Sequence, residues 1–424
     1  MSSKAALRKC VEDIASAIEP RKSVIEREQK VLKNLFHSLR EAQRHFEAFS
    51  PVARLPDEIL SFIFQLCDGP GYASAAPSCA PLLLLRVCYK WREIVLSCPF
   101  LWTSVSFHAH TSGKKYAKLV SAWLGRSQAL PLEIRLSGFV SDGTKKALEQ
   151  HASRVRTLEI RGVFPQGTFL EHMTSFSSLQ TLKLFGAVNV TISDYLHSLE
   201  SAPLLTELGI ASIDVETSEG MIAVIHTSLK ILNLEEDEYS CPSFILRYLT
   251  LPMLETLTLV RGKGTNVHLR DFFTRSSPPL KHLSIGGFED ATQIDLGYLQ
   301  LVPSLVDLSM ACEGFDGVPI VCARMTSGLA PSLRHLSVTN QSCSLGPRGG
   351  KKLPSLLADY RCLCPHLELI RLEYFACGLL EQTLDQVERF TRGGILHVHL
   401  SSLPLSQWRE VNEISCSCSR CRVQ

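Results

Sequence analysis

The segment LETLTL at residues 254–259 decides the fold of this chain, because its six-residue pattern, LxxLxL, returns along most of the sequence. Counting outward from it, copies start at residues 155, 179, 205, 229, 280, 305, 333 and 367, with a weaker copy at 395 and an earlier one, PLEIRL, at 131–136. From 155 onward, successive starts are 24 (179 minus 155) to 34 (367 minus 333) residues apart. Such a period predicts a stack of similar units, since one unit alone cannot bury its own leucines.

Each copy predicts one short strand, whose alternate apolar side chains point to one face of a sheet. Helix-compatible segments lie between the copies, and many end in proline just before the next strand, as at Pro203, Pro252 and Pro279. Proline there stops a helix and starts extended backbone. This period and pattern are the signature of leucine-rich repeats. We therefore predict an α/β chain in which residues 108–403 form an irregular leucine-rich-repeat solenoid, with a parallel sheet on its concave face.

The third and fifth positions of each copy point away from the leucine core and form the predicted target-binding face. This face mixes hydroxyl groups with charges of both signs, and the formal net charge of the chain is only +2. A protein ligand is therefore favoured over a nucleic acid, which needs a basic face. The candidate contact residues are Glu159, Lys183, Glu207, Asn233, Thr258, His282, Asp307, His335 and Arg371.

Residues 1–50 predict an amphipathic helix of coiled-coil type. Pro20 lacks the backbone donor that a helix interior needs, so we expect a break or kink there and a helix of about 28 residues after it. Contact with a second copy or a partner, and packing against the chain's own next domain, are both open interpretations. Two interleaved series with seven-residue spacing carry the pattern: Leu7, Ile14, Arg21, Glu28, Leu35, Ala42 and Phe49, and Val11, Ile18, Ile25, Leu32, Leu39 and Phe46.

Residues 51–107 form the second predicted domain, in which two helical segments are joined by a loop. The stretch LPDEILSFIFQLC at 55–67 begins with proline and two acidic residues, which suit a helix N-terminus. The stretch DGPGYASAAPSCAP at 68–81 is rich in turn residues and predicts a loop. A second helical pattern runs from residue 82 and ends at Pro99, after which residues 101–107 predict the first strand of the repeat region.

Residues 55–102 resemble an F-box, in the F-box-like form that precedes leucine-rich repeats in mushroom-forming fungi. The resemblance depends on the whole set of residues, and the helix before it and the repeats after it agree with the layout of that family. The matching residues are Leu55, Pro56, Glu58, Ile59, Leu60, Ile63, Phe64, Ala80, Pro81, Leu84, Val87, Cys88, Trp91, Arg92, Ile94, Pro99, Leu101 and Trp102.

The resemblance implies docking on the Skp adaptor of a Skp–cullin–F-box ubiquitin ligase, with the repeats capturing a target protein for ubiquitination. An alternative role for Ile63, Val87 and Trp91 is to hold the small helices together. A non-degradative repeat scaffold and a self-associating structural protein are the competing functions. The residues that the resemblance implies for adaptor binding are Leu55, Pro56, Ile59, Leu60, Ile63, Val87 and Trp91.

The sequence favours a binding protein over an enzyme. It contains no GxSxG, GxxxxGK, GxGxxG or HExxH motif, so we predict no catalysis and no cofactor. In the cysteine-rich tail, residues 404–424, only Cys418 and Cys421 have CxxC spacing, and Cys416 does not complete a zinc site of four ligands. The absence of a secretory signal and of a long apolar run predicts a cytoplasmic or nuclear protein without a membrane span.

Overall fold

The chain divides into two compact units, Met1–Trp102 and Thr103–Gln424. The predicted cysteine-rich tail, residues 404–424, lies outside the described residues. The structure is a computed structural model that describes residues 2–47, 50–67, 71–109, 114–138, 140–162, 176–185, 190–211, 213, 223–235, 241–260, 266–288, 296–312, 329–340, 368–375 and 397–403.

The first unit begins with one long helix, α1, at Ser2–Glu47. The helix continues through Pro20, so a break there and a separate helix of about 28 residues after it are wrong, whereas a kink at Pro20 stays a prediction. Ala17, Glu19, Arg21 and Lys22 lie close to this proline and are good helix formers. They stabilise the helix on both sides of Pro20, although the proline itself donates no backbone hydrogen bond. Although α1 is long, no helix in the described part of the chain combines the length and the hydropathy needed to cross a membrane.

Two shorter helices follow in the first unit, α2 at Asp57–Leu66 and α3 at Tyr89–Ser97. The second helical pattern was expected from residue 82, but the helix begins later because Cys88 is extended (φ −154°, ψ 174°). The sulfur of Cys88 accepts a hydrogen bond from the Trp91 backbone nitrogen at 3.4 Å and so caps α3. Single 3-10 turns lie at Pro51–Arg54, Leu84–Arg86 and Pro99–Trp102.

The second unit contains a large parallel sheet whose strand order follows the chain order. Together with the helices, it confirms the predicted mixed α/β class. Neighbouring strands pair in parallel throughout. The strands are β1 Ser104–Ala109, β2 Leu132–Gly138, β3 Val155–Arg161, β4 Thr181–Phe185, β5 Glu207–Ile210, β6 Ile231–Glu235, β7 Thr256–Val260, β8 His282–Phe288, β9 Asp307–Cys312, β10 His335–Asn340, β11 Leu369–Phe375 and β12 His397–Leu403.

The register of the sheet sets equivalent positions of successive LxxLxL copies side by side. Leu232, Leu257 and Leu283, for example, are paired neighbours on β6, β7 and β8. Their side chains are buried, whereas Thr256 and Thr258, on either side of Leu257, are partly exposed. The leucine side of the sheet therefore faces the core, and the other side is its open face.

Helices and short turns link the strands of the second unit. A capping box starts the helix after β4, where the Thr191 hydroxyl accepts from the Asp194 backbone and the Asp194 carboxylate accepts from the Thr191 backbone. Val224–Ile225 and Leu249–Thr250 form a short separate parallel ladder. The linking elements are α4 Lys114–Arg126, α5 Asp142–Glu149, α6 Ile192–Ser201 and α7 Asn266–Ser276, with 3-10 turns at Ala152–Arg154, Pro242–Arg247 and Gly297–Leu301.

Candidate functional site

Helix α2 carries apolar side chains on two faces, and only one of these faces is covered. Ile59, Phe62, Ile63 and Leu66 follow the i, i+3, i+4, i+7 spacing of a single helix face and are 47%, 59%, 39% and 68% exposed. We name these four residues the α2 stripe. A cluster of exposed apolar side chains marks an interaction surface, because leaving it in water is unfavourable.

The opposite face of α2 packs into the core of the first unit. Leu60 and Phe64 are buried, and the Phe64 ring lies 4.7 Å from the Trp91 ring, centroid to centroid. Leu60, which was expected to face the adaptor, is instead a core residue, because one residue along a helix turns the side chain by about 100° from Ile59. Trp91 is half-buried and joins α2 to α3, as in the structural alternative considered for it.

Lys90, which sequence reasoning missed, fixes the start of α2. Its ammonium group donates to the Leu55 carbonyl oxygen at 2.9 Å and pairs with Asp57 at 3.1 Å. Leu55 is half-buried, and Pro56 is exposed next to it in an extended conformation. These contacts tie the first turn of α2 to α3 and so hold the α2 stripe in one orientation.

Further apolar side chains of the first unit are exposed away from α2. Val87 is among them, although Leu84 in the same turn is buried. Of the α2 stripe, Phe62 and Leu66 were not predicted, and their helical spacing from Ile59 is the sequence signal that identifies them. Other exposed residues that sequence reasoning missed are Leu83, Tyr89, Leu96 and Phe100.

The open face of the sheet arranges the predicted target-binding residues in two rows that cross the strands. Glu207, His282, Asp307 and His335 lie in the first row, at the strand starts. The second row lies two residues further along each strand and contains Glu159, Lys183, Asn233, Thr258 and, by backbone register, Arg371.

Glu159 is a buried charge in the second row. Its side chain is only 4% exposed and accepts hydrogen bonds from Arg135 Nε at 2.8 Å and Arg161 Nε at 2.6 Å. Burial alone raises the pKa of Glu159, but the hydrogen bonds and charges of Arg161 and Arg135 outweigh it and hold that pKa below its usual value. Neither arginine was predicted, although Arg135 occupies the fifth position of PLEIRL.

A groove of about 330 Å³ lies over β7 to β11 and is lined by leucines of these strands, by hydroxyl groups and by His282, Asp307 and His335. The Asp307 carboxylate contacts Nδ1 of His282 at 2.5 Å and also Nδ1 of His335. Each imidazole donates through Nδ1, so one carboxylate orients both rings. These groups suit hydrogen bonding to a polypeptide laid across the strands.

Metal binding finds no support in the part of the chain that the structure describes. No group of His, Cys, Asp and Glu there has the geometry to hold a metal ion. The described cysteines of the first unit, such as Cys67 and Cys88, are free thiols. Cys416, Cys418 and Cys421 lie outside the described residues.

Replacing Glu159 with glutamine is expected to lower stability at pH 7 by about 2 kcal/mol, because two guanidinium groups lose their charged acceptor. Since the pKa of Glu159 is lowered by folding, its contribution is present above the unfolded pKa and is lost as the pH falls through the folded pKa. Urea unfolding should therefore show that the free energy of unfolding falls less between pH 7 and about pH 3 in Glu159→Gln than in the wild type. Glu133→Gln, which removes an exposed carboxylate on β2, is the control. An equal loss of stability at pH 7 in the two variants would contradict the expectation.

No protein-family model matches the chain, and no curated protein matches it.

Proposed function

We propose that this chain is the substrate-recognition subunit of a Skp–cullin–F-box ubiquitin ligase and has no catalytic activity of its own. In this proposal the first unit contains the F-box and docks on the Skp adaptor, and the second unit is a leucine-rich-repeat solenoid that binds a target protein. We expect it to act in the cytoplasm or nucleus. The observation that carries the proposal is the α2 stripe, which is exposed beside a well-packed core.

The stripe supports docking because its exposure is selective. Leu60 and Phe64 complete the internal packing of α2, so Ile59, Phe62 and Leu66 are not needed for the fold of the first unit. An apolar groove on a partner protein can cover such a helix face. A few large apolar anchors then dominate the binding energy.

The open face of the sheet supports target recognition. Its two rows cross successive strands at matched register, so they offer regularly spaced contacts to an extended polypeptide. The face carries charges of both signs, as in the pair Lys183–Glu207 at 2.6 Å. Such a mixed surface selects a partner by its pattern of charges.

Copurification tests the proposal directly. The full-length chain, expressed with an affinity tag in a cell that also expresses a Skp adaptor and a cullin, is expected to recover both in stoichiometric amounts. Recovery of neither, under conditions in which a known F-box protein recovers both, would refute ligase docking. If both are recovered but target abundance does not change when the gene is deleted, the chain is a non-degradative scaffold on the same machinery.

The two apolar series of α1, which together form a seam along the helix, support a second function, self-association. Seven of its apolar side chains are each more than half exposed, so in the described residues the seam is not packed against the rest of the chain. These residues repeat every seven positions, which is the spacing that pairs two helices. They are Val11, Ile14, Ile18, Ile25, Leu32, Leu35 and Leu39.

A further inference from the structure

A second cavity on the open face, of about 300 Å³, is lined by side chains on both sides of β5. Gly209 of β5, which does not line the cavity itself, interrupts the second row there. Because glycine has no side chain, Lys183 and Phe185 of β4 lie over β5. A Cβ atom at position 209 would be 3.2 Å from Cγ of Lys183 and 3.5 Å from Cζ of Phe185. We call this space the Gly209 cavity. The charged side chains of β2 to β4 form one of its walls, and β6 and β7 form the other.

The first wall carries an excess of positive charge. Arg135 and Arg161 share the single carboxylate of Glu159, and Lys183 pairs with Glu207 at 2.6 Å. This wall thus has three cations against two carboxylates. The other wall contains one more carboxylate, that of Glu235 at the exposed end of β6, so the two walls differ in charge.

Arg161 is held ready to bind an anion. Its Nε donates to Glu159 at 2.6 Å, and its guanidinium carbon lies 4.9 Å from the centre of the Phe185 ring. The cation–π contact with the ring and the bond to a buried carboxylate restrict the guanidinium group. Its terminal nitrogens make no hydrogen bond within the described residues, so both remain available for a paired contact with carboxylate or phosphate oxygens.

The opposite wall supplies a neutral hydrogen-bonding group. Asn233 lies next to Gly209 in the second row, and its amide has no side-chain hydrogen bond in the part of the chain that the structure describes. An amide both donates and accepts, so it matches a peptide group of a bound polypeptide. A ligand with a backbone and an anionic side chain satisfies both walls together.

We propose that the Gly209 cavity binds an anionic side chain of a target polypeptide, with its carboxylate or phosphate on Arg161 and its backbone on Asn233. Glu159 is a positioning residue in this site, because it acts through the arginines. The inference rests on the proposed function, in which the open face is the target surface, and it adds the chemical class of the residue that is recognised.

Peptide pools test the inference on the full-length chain. Fluorescein-labelled decapeptides, randomised except for a central glutamate, phosphoserine or glutamine, are titrated with protein and followed by fluorescence anisotropy. The glutamate or the phosphoserine pool is expected to bind about tenfold more tightly than the glutamine pool, as a charge-assisted pair gives. The tighter of the two anionic pools tells whether the site takes carboxylates or phosphates.

Arg161→Gln is expected to reduce that preference to less than about twofold, because the guanidinium that pairs with the anion is removed. Arg156→Gln, an exposed arginine on the same strand outside the cavity, should keep the full preference. If Arg161→Gln lowers the melting temperature, Arg161→Lys is tested in its place. The preference for the anionic pool over the glutamine pool is then expected to fall about threefold, because lysine lacks the paired donors. Equal binding of all three pools, or of none, overturns the inference, and neither result affects adaptor copurification.

Discussion

Replacing Ile59 and Ile63 together with glutamate is expected to weaken Skp-adaptor binding by at least about 100-fold, since anchor residues at an interface centre each contribute about 2 kcal/mol. Both side chains belong to the exposed α2 stripe, whereas Leu60 and Phe64 are buried on the opposite face of the helix. The stability of the first unit should change by less than about 0.5 kcal/mol, because surface substitutions away from packed features cost little. Titration calorimetry with purified adaptor gives the affinity, and thermal unfolding gives the stability.

A second double variant, at exposed apolar residues outside α2, tests whether any loss of exposed apolar surface weakens adaptor binding. Leu204 and Met253 of the second unit are 53% and 45% exposed, which is close to the exposure of Ile59 and Ile63. Leu204→Glu with Met253→Glu should leave adaptor binding unchanged. If both double variants bind the adaptor as the wild type does, the α2 stripe is not the docking surface; if both lose binding equally, the effect does not come from α2.

The strands could be predicted from the sequence because their pattern is local. In LETLTL, alternation alone assigns Leu257 to the core and Thr258 to the open face, and parallel pairing repeats that assignment on each neighbour. Helix boundaries were harder, because they depend on single backbone conformations. The extended Cys88 delays α3, and α1 crosses Pro20, and neither outcome follows from apolar spacing.

The candidate sites were predicted only in part, because partners distant in sequence complete them. The positions of Ile59 and Glu159 follow from spacing, but the pairing of Glu159 with Arg135 depends on the register of β2 against β3. In the same way, Lys90 reaches Leu55 only once α2 and α3 have packed. Leu60 was misassigned because the LPDEIL segment is apolar on two helix faces, and spacing does not say which face is covered.

Replacing Ile25 and Leu32 with glutamate is expected to convert the chain from dimer to monomer. We propose that α1 pairs with a second copy in antiparallel orientation, because parallel pairing in register would set Arg21 against Arg21 and Glu28 against Glu28. Each change puts a charge into the seam in both copies, so the dissociation constant should rise more than about 1,000-fold. Light scattering on the wild type should give twice the chain mass of 47.1 kDa, and the variant should give that mass once.

The control for this experiment adds the same two charges away from the seam. Ser16 and Ser23 are exposed, are seven residues apart like Ile25 and Leu32, and lie outside both apolar series. Ser16→Glu with Ser23→Glu should therefore remain dimeric, since neither side chain enters the helix pair. A wild-type chain that stays monomeric at concentrations up to about 100 μM would reject self-association, because a seam of seven exposed apolar residues should bind more tightly than that. A monomer would leave adaptor docking through α2 untouched, since the α2 stripe shares no residue with the seam.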